Sequence, residues 1–162
     1  MKEQMKASAY HLKLAEIKKL IFAAPNFRDR CLIKTLFWSG LRRKELVELD
    51  VRDIDFERKR LVVRKGKGGK TRIVPLIEPE HMSDLKHLIG DRKEGSVFLS
   101  SHGKQLTPRA INYILQNVGE KSGLKHPRPG REILNPHLFR HSIARFLKSK
   151  GFPAEWDRKS VV

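Results

Sequence analysis

Two short segments of this 162-residue chain carry residue types that can bind phosphate. The first, residues 64–72, reads RKGKGGKTR and interleaves glycines with lysine and arginine. The second, residues 135–145, reads NPHLFRHSIAR and places His137 and Arg140 three positions apart. Cationic side chains and the free amide groups at a helix N-terminus both bind phosphate oxygens. The chemistry expected of both segments is therefore the binding of a phosphate.

The glycine-rich segment ends in Gly69, Lys70 and Thr71, which resembles the end of a nucleotide-binding P-loop. A P-loop requires the pattern G-x-x-x-x-G-K-[ST] between a strand and a helix, because the helix N-terminus receives the phosphate. Here Arg64 occupies the position of the first glycine, and β-branched residues followed by Pro75 come after Thr71. No helix is expected there, so the sequence favours a β-hairpin with a basic tip over a nucleotide site.

The hairpin segment is strongly basic. Eight basic residues and no acidic residue lie between Arg58 and Arg72. An exposed turn whose charges protect a sheet edge would account for some of these residues. It does not account for the single sign of the charges, because like charges repel one another. Contact with a nucleic-acid backbone offsets this repulsion through the release of counterions. We therefore expect the hairpin tip to contact phosphates of a nucleic acid.

A helix beginning near Pro136 would place His137 and Arg140 on one face, with His141 one turn beyond His137. The two histidines could instead bind zinc, but the hydrolytic zinc motif has Glu at the second position, where this chain has Leu138. No further ligand set is evident, so no metal site is expected. Histidines near a helix start also serve simply as hydrogen-bonding partners in the core. Spacing alone therefore leaves both roles open for His137 and Arg140.

The hydrophobic pattern predicts an α+β fold, a mainly helical single domain with a small antiparallel sheet. An N-cap residue followed by proline marks two helix starts, at Thr107-Pro108 and at Asn135-Pro136. A basic loop rich in proline and glycine, residues 125–131, separates these last two helices. Expected helices cover residues 11–24, 27–39, 43–49, 78–89, 108–122 and 136–150. Expected strands cover residues 54–56, 60–64 and 71–76.

Composition indicates the class of partner. Lys and Arg number 35 against 18 Asp and Glu, which gives a formal net charge of +17. Such an excess opposes compact folding, and a nucleic acid is the usual polyanion that relieves it. A charged surface of the thermophile type would also be rich in Glu. Cys31 is the single cysteine, and neither a signal-peptide core nor a long apolar run is present. These features predict a cytoplasmic, nucleoid-associated protein with no membrane partner.

Three segments, taken in order, resemble signature blocks of the tyrosine recombinases, the phage integrase and Xer-like site-specific recombinases. They are SGLRRKEL at residues 39–46, GKGGKTRIVPL at residues 66–76 and PHLFRH at residues 136–141. The resemblance implies the catalytic-domain fold of that family, mainly helical with a small three-stranded antiparallel sheet. It further implies an N-terminal arm or linker remnant at residues 1–10 and a C-terminally incomplete catalytic domain at residues 11–162. On this basis we expect the separate N-terminal core-binding domain to be absent.

The resemblance also implies roles for individual residues. Arg42 matches the first catalytic arginine, and His137 and Arg140 match the histidine and second arginine of the H-x-x-R block. The two arginines would hold the non-bridging oxygens of a scissile DNA phosphate. Lys67 would protonate the departing 5′ oxygen, and His137 would assist by proton transfer or hydrogen bonding. The expected additional DNA contacts are Arg43, Arg64, Lys65, Lys70, Arg72 and His141.

The nucleophile is the point at which this chain departs from the family pattern. In the family, a tyrosine downstream of the H-x-x-R block attacks the phosphate and no cofactor is needed. Tyr10 and Tyr113 are the two tyrosines of this sequence, and both lie upstream of that block. We therefore expect the phosphate-binding residues without a nucleophile in this chain. Three readings stay open: a shortened recombinase catalytic domain, a non-cleaving DNA-binding module that regulates or partners an intact recombinase, and supply of the tyrosine in trans.

The expected partner is double-stranded DNA. An intact recombinase subunit, or further copies of this chain assembled on DNA, is the expected protein partner. A plain RNA-binding or ribosome-associated basic domain is disfavoured, because the sequence has no evident pattern of aromatic residues for base stacking.

Overall fold

In this computed structural model of the chain, residues 10–64, 70–131 and 134–152 are described. These ranges contain six α-helices, one short 3₁₀ helix and a three-stranded antiparallel sheet, so the expected fold class is confirmed. The helices are α1 (Leu14–Ala23), α2 (Phe27–Ser39), α3 (Arg43–Glu48), α4 (Pro79–Ile89), α5 (Pro108–Ser122) and α6 (Pro136–Ser149). The strands are β1 (Ile54–Asp55), β2 (Arg60–Val63) and β3 (Arg72–Pro75), and the 3₁₀ helix is Val51–Asp53.

The sheet has the strand order β1-β2-β3, with both pairings antiparallel. Leu61 pairs with Val74, and Val63 pairs with Arg72, so these four side chains share the buried face. Burial alternates along both hairpin strands, as the period of two in a β-strand requires. The predicted hairpin strands are confirmed to within one residue at each end. The tip, residues 65–69, lies outside the described residues and includes the predicted site residues Lys65 and Lys67.

Local capping signals set the helix starts that matter for the site. The side chain of Thr107 accepts a hydrogen bond from the Ala110 backbone N–H at 3.1 Å at the start of α5. Asn135 does the same for the Leu138 N–H at 3.1 Å at the start of α6. Each side chain satisfies a backbone donor that has no partner within the helix. Both predicted N-caps are confirmed, and each is followed by proline at the first helical position.

Helix α2 is the central element, because it contacts α1, α4 and α6. It ends at Gly40, whose left-handed backbone (φ 63°) turns the chain sharply into α3. Helix α5 contacts α1 and α3 on another side of the core. The helix N-termini of α3, α5 and α6 are thereby brought to one region of the surface. No helix in the described ranges is long and apolar enough to cross a membrane.

Helix α4 buries a polar side chain among its apolar ones. In α4, Leu85 and Ile89 are buried, and Met82 and Leu88 are half-buried against the core. His81, in the first turn of the same helix, is also fully buried. Its Nε2 lies 2.8 Å from the Thr35 hydroxyl oxygen. A polar side chain can enter the core here because a neighbouring helix supplies its hydrogen-bond partner.

Candidate functional site

A cleft of about 1370 Å³ lies where α3 meets the N-termini of α5 and α6. The charged residues of its lining are mainly cationic, which suits an anionic ligand. Among the described residues, five cationic side chains line it and Glu48 is the only acidic one. The cationic lining residues are Arg42, Arg43, Lys44, Arg131 and Arg140.

Arg42 is the N-cap residue of α3, two positions after the turn at Gly40. Its backbone N–H donates a hydrogen bond to the Glu45 carboxylate at 2.8 Å, which fixes the start of the helix. Its side chain is 42% exposed and lines the cleft. The backbone of Arg42 is therefore fixed by Glu45, while its guanidinium group remains accessible to a ligand.

Arg140 reaches the same place from α6. Its side chain is almost buried, and its Nη1 donates to the Gly40 carbonyl oxygen at 3.2 Å. The same nitrogen lies 4.0 Å from Glu45 Oε1. Burial of a guanidinium is costly unless it is paired, so these contacts are what allow Arg140 to sit at the floor of the cleft. Arg42 and Arg140, 98 positions apart in the sequence, thus meet around one carboxylate.

Arg72 completes this arrangement, which we name the arginine cluster (Arg42, Arg72 and Arg140 around Glu45). Its Nη2 donates to Glu45 Oε1 at 2.8 Å, and its Nη1 donates to Oε2 of the same carboxylate. Arg72 is predicted from the sequence to contact DNA. In the structure its side chain lies on the inward face of β3 and is 7% exposed. The reason is the strand period, which puts Arg72 on the same face as Val74.

Glu45 is ionised in this cluster. Burial alone would raise the pKa of the carboxyl group. The hydrogen bonds from Arg72 and from the Arg42 backbone, together with the charges of both arginines, lower the pKa by more than burial raises it. The net result is a pKa below its usual value. One negative charge is thus shared among three guanidinium groups, so the site keeps an excess of positive charge for an anionic ligand.

His137 and His141 lie on successive turns of α6. His137 is exposed and lines the cleft, whereas His141 is half-buried. Their rings are stacked, with centroids 6.0 Å apart and an interplanar angle of 21°. Helix α6 therefore presents His137 beside Arg140 at the cleft, as the spacing of three residues predicts.

The other predicted contact residues fall into two groups. Arg43 is exposed on α3 and lines the cleft. Arg64 and Lys70 are the described residues on either side of the hairpin tip in the sequence, and both are exposed. The Arg64 Nε forms an ion pair at 2.6 Å with Oδ1 of the buried Asp53. Lys65 and Lys67 belong to the undescribed tip, so their placement relative to the cleft stays a prediction.

Several residues of the site were not predicted from the sequence. Asn112 and Gln116 line the cleft from α5, and their spacing of four residues on a helix was the available signal. Lys44 and Arg131 also line it. Glu45 was overlooked although it follows Arg42 by three residues, the spacing at which a carboxylate reaches back to a helix start.

No tyrosine is found among the described residues that line the cleft. Tyr113 is 71% exposed on α5, and Tyr10 is half-buried ahead of α1. Within the three described ranges, no group of three His, Cys, Asp or Glu side chains is placed to hold a metal ion.

Comparison with known proteins identifies related chains. A sequence model described as the phage integrase family matches residues 11–156. The chain is 36% identical over 143 residues to the tyrosine recombinase XerA of Pyrococcus furiosus, an alignment that covers 84% of this chain and 47% of that protein. The chain spans about half the length of the curated relatives it matches.

Solved structures show the same architecture. The crystal structure of XerA recombinase superposes with a TM-score of 0.77 at 26% identity, covering 92% of this chain and 54% of that one. The structure of XerH site-specific recombinase bound to its difH substrate superposes with a TM-score of 0.69 at 27% identity, covering 87% of this chain and 43% of that one. The similarity thus extends over nearly all of the present chain and about half of each relative.

Proposed function

Because this chain belongs to the phage integrase family, whose matched relatives are tyrosine recombinases, we propose that it forms the phosphate-binding part of a site-specific DNA recombinase. The observation that carries this proposal is the meeting of Arg42 and Arg140 at the floor of a cationic cleft. The substrate in this proposal is double-stranded DNA, and the bound group is one phosphate of its backbone.

The arginine cluster supplies the chemistry that a scissile phosphate needs. Guanidinium groups offer paired N–H donors that match the non-bridging oxygens of a phosphate diester. Arg42 and Arg140 approach the cleft from different elements, so they can bind different oxygens of the same phosphate. Their charge then stabilises the additional negative charge that develops in the transition state. Glu45 holds both arginines in advance, which reduces the reorganisation needed on binding.

The bond changes of the proposed reaction involve two further residues. A tyrosyl oxygen attacks the phosphorus, a 3′-phosphotyrosyl bond forms, and the bond to the 5′ oxygen breaks. In this proposal Lys67 donates the proton that the 5′ oxygen takes up, and His137 assists by hydrogen bonding or proton transfer at the phosphate. Attack by a 5′ hydroxyl of a second DNA strand then reverses these steps, so the free energy of the phosphodiester bond is retained.

We place the attacking tyrosine outside these 162 residues. The support is that neither Tyr10 nor Tyr113 belongs to the described lining of the cleft. The tyrosine would come from additional sequence of the same protein or from another recombinase subunit on the DNA. Under either arrangement, the present residues bind and polarise the phosphate and another segment supplies the nucleophile.

Helix α5 is a candidate for contact with bases. Asn112 and Gln116 lie one turn apart on the side of this helix that lines the cleft. Asn and Gln side chains can pair with the exposed edge of adenine in the major groove. We propose that phosphate contacts from the arginine cluster set the position of the DNA while α5 contributes to sequence recognition.

A second candidate function is a DNA-binding module that does not cleave. It is favoured by the combination of a complete arginine cluster with a cleft whose described lining contains no tyrosine. Such a module would occupy recombination sites and pair with an intact recombinase, or block one. It shares every DNA contact with the first proposal and differs only in the absence of a covalent step.

A nicked suicide DNA substrate separates these proposals. A covalent protein–DNA product from the 162-residue chain alone would contradict both the placement of the tyrosine and the non-cleaving module. A product that appears only when a tyrosine-bearing recombinase is added, and that is lost with Arg42→Ala, supports the recombinase function. Duplex binding without any covalent product in either mixture supports the non-cleaving module.

A further inference from the structure

The segment between α5 and α6, which we name the basic loop (residues 125–131), is a concentrated source of positive charge. Lys125, Arg128 and Arg131 are all exposed, and no acidic residue occurs in the loop. Three like charges within seven residues repel one another, and a ligand of opposite charge would offset this repulsion. The phosphate-binding role of Arg42 and Arg140 does not use this loop.

The shape of the basic loop is fixed by its own contacts. Nδ1 of His126 accepts a hydrogen bond from the Arg128 backbone N–H at 3.0 Å, and the Arg131 N–H donates to the Arg128 carbonyl oxygen at 3.1 Å. Pro127 and Pro129 restrict the backbone on either side of Arg128. Both arginine side chains therefore project from a backbone whose freedom is already limited before any ligand binds.

His126 favours this arrangement at neutral pH. Its Nδ1 can accept a hydrogen bond only while that nitrogen carries no proton. Burial, followed by the charges of Arg131 and Arg128, lowers the pKa of His126. The imidazole is thus held in the neutral form that the loop conformation requires.

Described residues before and after the basic loop pack in the core. Leu124 packs against the core at one end, and Leu134 is 2% exposed at the other. Leu134 approaches α5 so closely that a Cβ added at Gly119 would lie 3.2 Å from its Cδ1. Leu134 thus packs against α5, which itself forms part of the cleft.

The basic loop and α3 contribute cations to the same cleft. Arg131 and Gly130 line it from the loop, while Arg43 and Lys44 line it from α3. A duplex whose phosphate reaches Arg42 has further backbone phosphates on both sides, spaced along each strand. A chain of phosphates is a ligand that can satisfy cations on two separate elements at once.

We propose that the basic loop is a second binding site for the DNA backbone, in which Arg128 and Arg131 contact phosphates other than the one held by Arg42 and Arg140. This proposal rests on the proposed function, because it assumes that duplex DNA occupies the cleft. The loop increases affinity and fixes the position of the duplex, and it takes no part in bond breakage. Its contacts are independent of DNA sequence, since they involve phosphates alone.

The test compares the salt dependence of duplex DNA binding for three variants and the unmodified chain. The loop variant is Arg128→Ala/Arg131→Ala, and the matched control is Lys18→Ala/Lys19→Ala, which removes the same charge from the exposed face of α1. The third variant, Arg42→Ala, reports on the cleft itself. Thermal unfolding of each variant checks that the fold is retained. The loop and control variants are expected to retain it, because all four of their substituted side chains are exposed.

The loop variant is expected to bind more weakly. The slope of log K against log salt, which is negative, should become shallower by about 2, since each phosphate contact contributes about 0.9 to its magnitude. The α1 control is expected to leave that slope unchanged. A slope for the loop variant equal to that of the control overturns the proposal for the loop. If Arg42→Ala still lowers affinity in that case, the proposed function survives without the loop; if it does not, both fail.

A second variant tests the shape of the loop separately from its charge. His126→Ala removes no formal charge at neutral pH but deletes the acceptor that holds the Arg128 backbone. We expect it to weaken duplex binding severalfold, by an amount that depends little on the DNA sequence. Unchanged affinity would contradict the requirement for a fixed loop conformation.

Discussion

Glu45 and Arg72 form a nearly buried ion pair in which the guanidinium donates hydrogen bonds to both carboxylate oxygens. This pair joins β3 of the hairpin to the first turn of α3. The same carboxylate accepts the backbone N–H of Arg42 and lies 4.0 Å from Arg140. The hairpin strand and the two cleft-lining arginines are therefore positioned by a single side chain.

Breaking this ion pair should destabilise the fold strongly. In Arg72→Met, Glu45 loses its two side-chain hydrogen bonds from Arg72 but stays almost buried beside Arg42 and Arg140. Removing one partner of a buried ion pair costs about 3–5 kcal/mol, and the remaining arginines place the expected loss at the lower end of that range. The free energy of unfolding, measured by urea denaturation, should fall by about this amount. In Glu45→Gln/Arg72→Met both charges are absent, so the double variant should lose less than the sum of the single variants.

Arg58→Met is the matched control for this prediction. Its side chain is 70% exposed and 3.9 Å from Asp55, so its removal should change the free energy of unfolding by less than about 1 kcal/mol. Equal losses for Arg72→Met and Arg58→Met would mean that the Glu45 pair does not contribute as proposed.

His81 should make the fold sensitive to acid. Burial and the nearby charge of Lys34 lower the pKa of His81 to about 3 from the ordinary 6.5, although the charge of Asp84 acts in the opposite direction. Because the unfolded chain takes up the proton first, His81 contributes stability that is fully present above about pH 6.5 and declines as pH falls toward 3. At about pH 4 the loss should reach roughly 3 kcal/mol.

His81→Gln tests this pH dependence, since glutamine can still donate to the Thr35 hydroxyl but does not titrate. Urea denaturation between about pH 7 and pH 4 should give a flatter profile for this variant than for the unmodified chain. His87→Gln, an exposed position on the same helix, should leave the profile unchanged. A profile for His81→Gln as steep as that of the unmodified chain would show that other groups control the acid sensitivity.

The N-cap of α6 should affect both stability and ligand binding. Asn135→Ala removes the acceptor for the Leu138 N–H, a loss of about 1 kcal/mol. Because α6 carries His137 and Arg140 in its first turns, fraying of this end should also weaken duplex DNA binding. Fluorescence anisotropy with a labelled duplex measures that change.

Asn26→Ala provides the comparison, because Asn26 caps α2 through the Asp29 N–H at 2.8 Å and does not line the cleft. It should cost similar stability with no specific loss of DNA affinity. Equal weakening of DNA binding by both variants would indicate a general effect of stability and not of the α6 N-terminus.

The sequence was sufficient for the features that depend on neighbouring residues. The N-caps Thr107 and Asn135 each depend on residues within a few positions, so local patterns predicted them correctly. The strand alternation that buries Val74 also applies to Arg72, yet a charged residue in a basic hairpin suggests solvent exposure. Only the partner at Glu45, 27 positions earlier, makes the inward position favourable.

The same limit applies to other contacts between residues far apart in the sequence. His81 is buried because Thr35 lies beside it in the fold, at a distance of 46 positions in the sequence. Asn112 and Gln116 belong to the cleft because α5 packs against α3. Helical spacing places these two amides on one side of a helix, but only packing determines whether that side meets the arginines. The predicted tip residues Lys65 and Lys67 remain predictions.

The central claim is that Arg42 binds a DNA phosphate in the cationic cleft. The most direct test is the affinity for duplex DNA over a range of salt concentrations for Arg42→Gln and for Lys18→Gln, an exposed lysine of α1 outside the cleft lining. The predicted result is weaker binding and a slope reduced by about 0.9 for Arg42→Gln alone. Identical affinities and slopes for the two variants would contradict the claim.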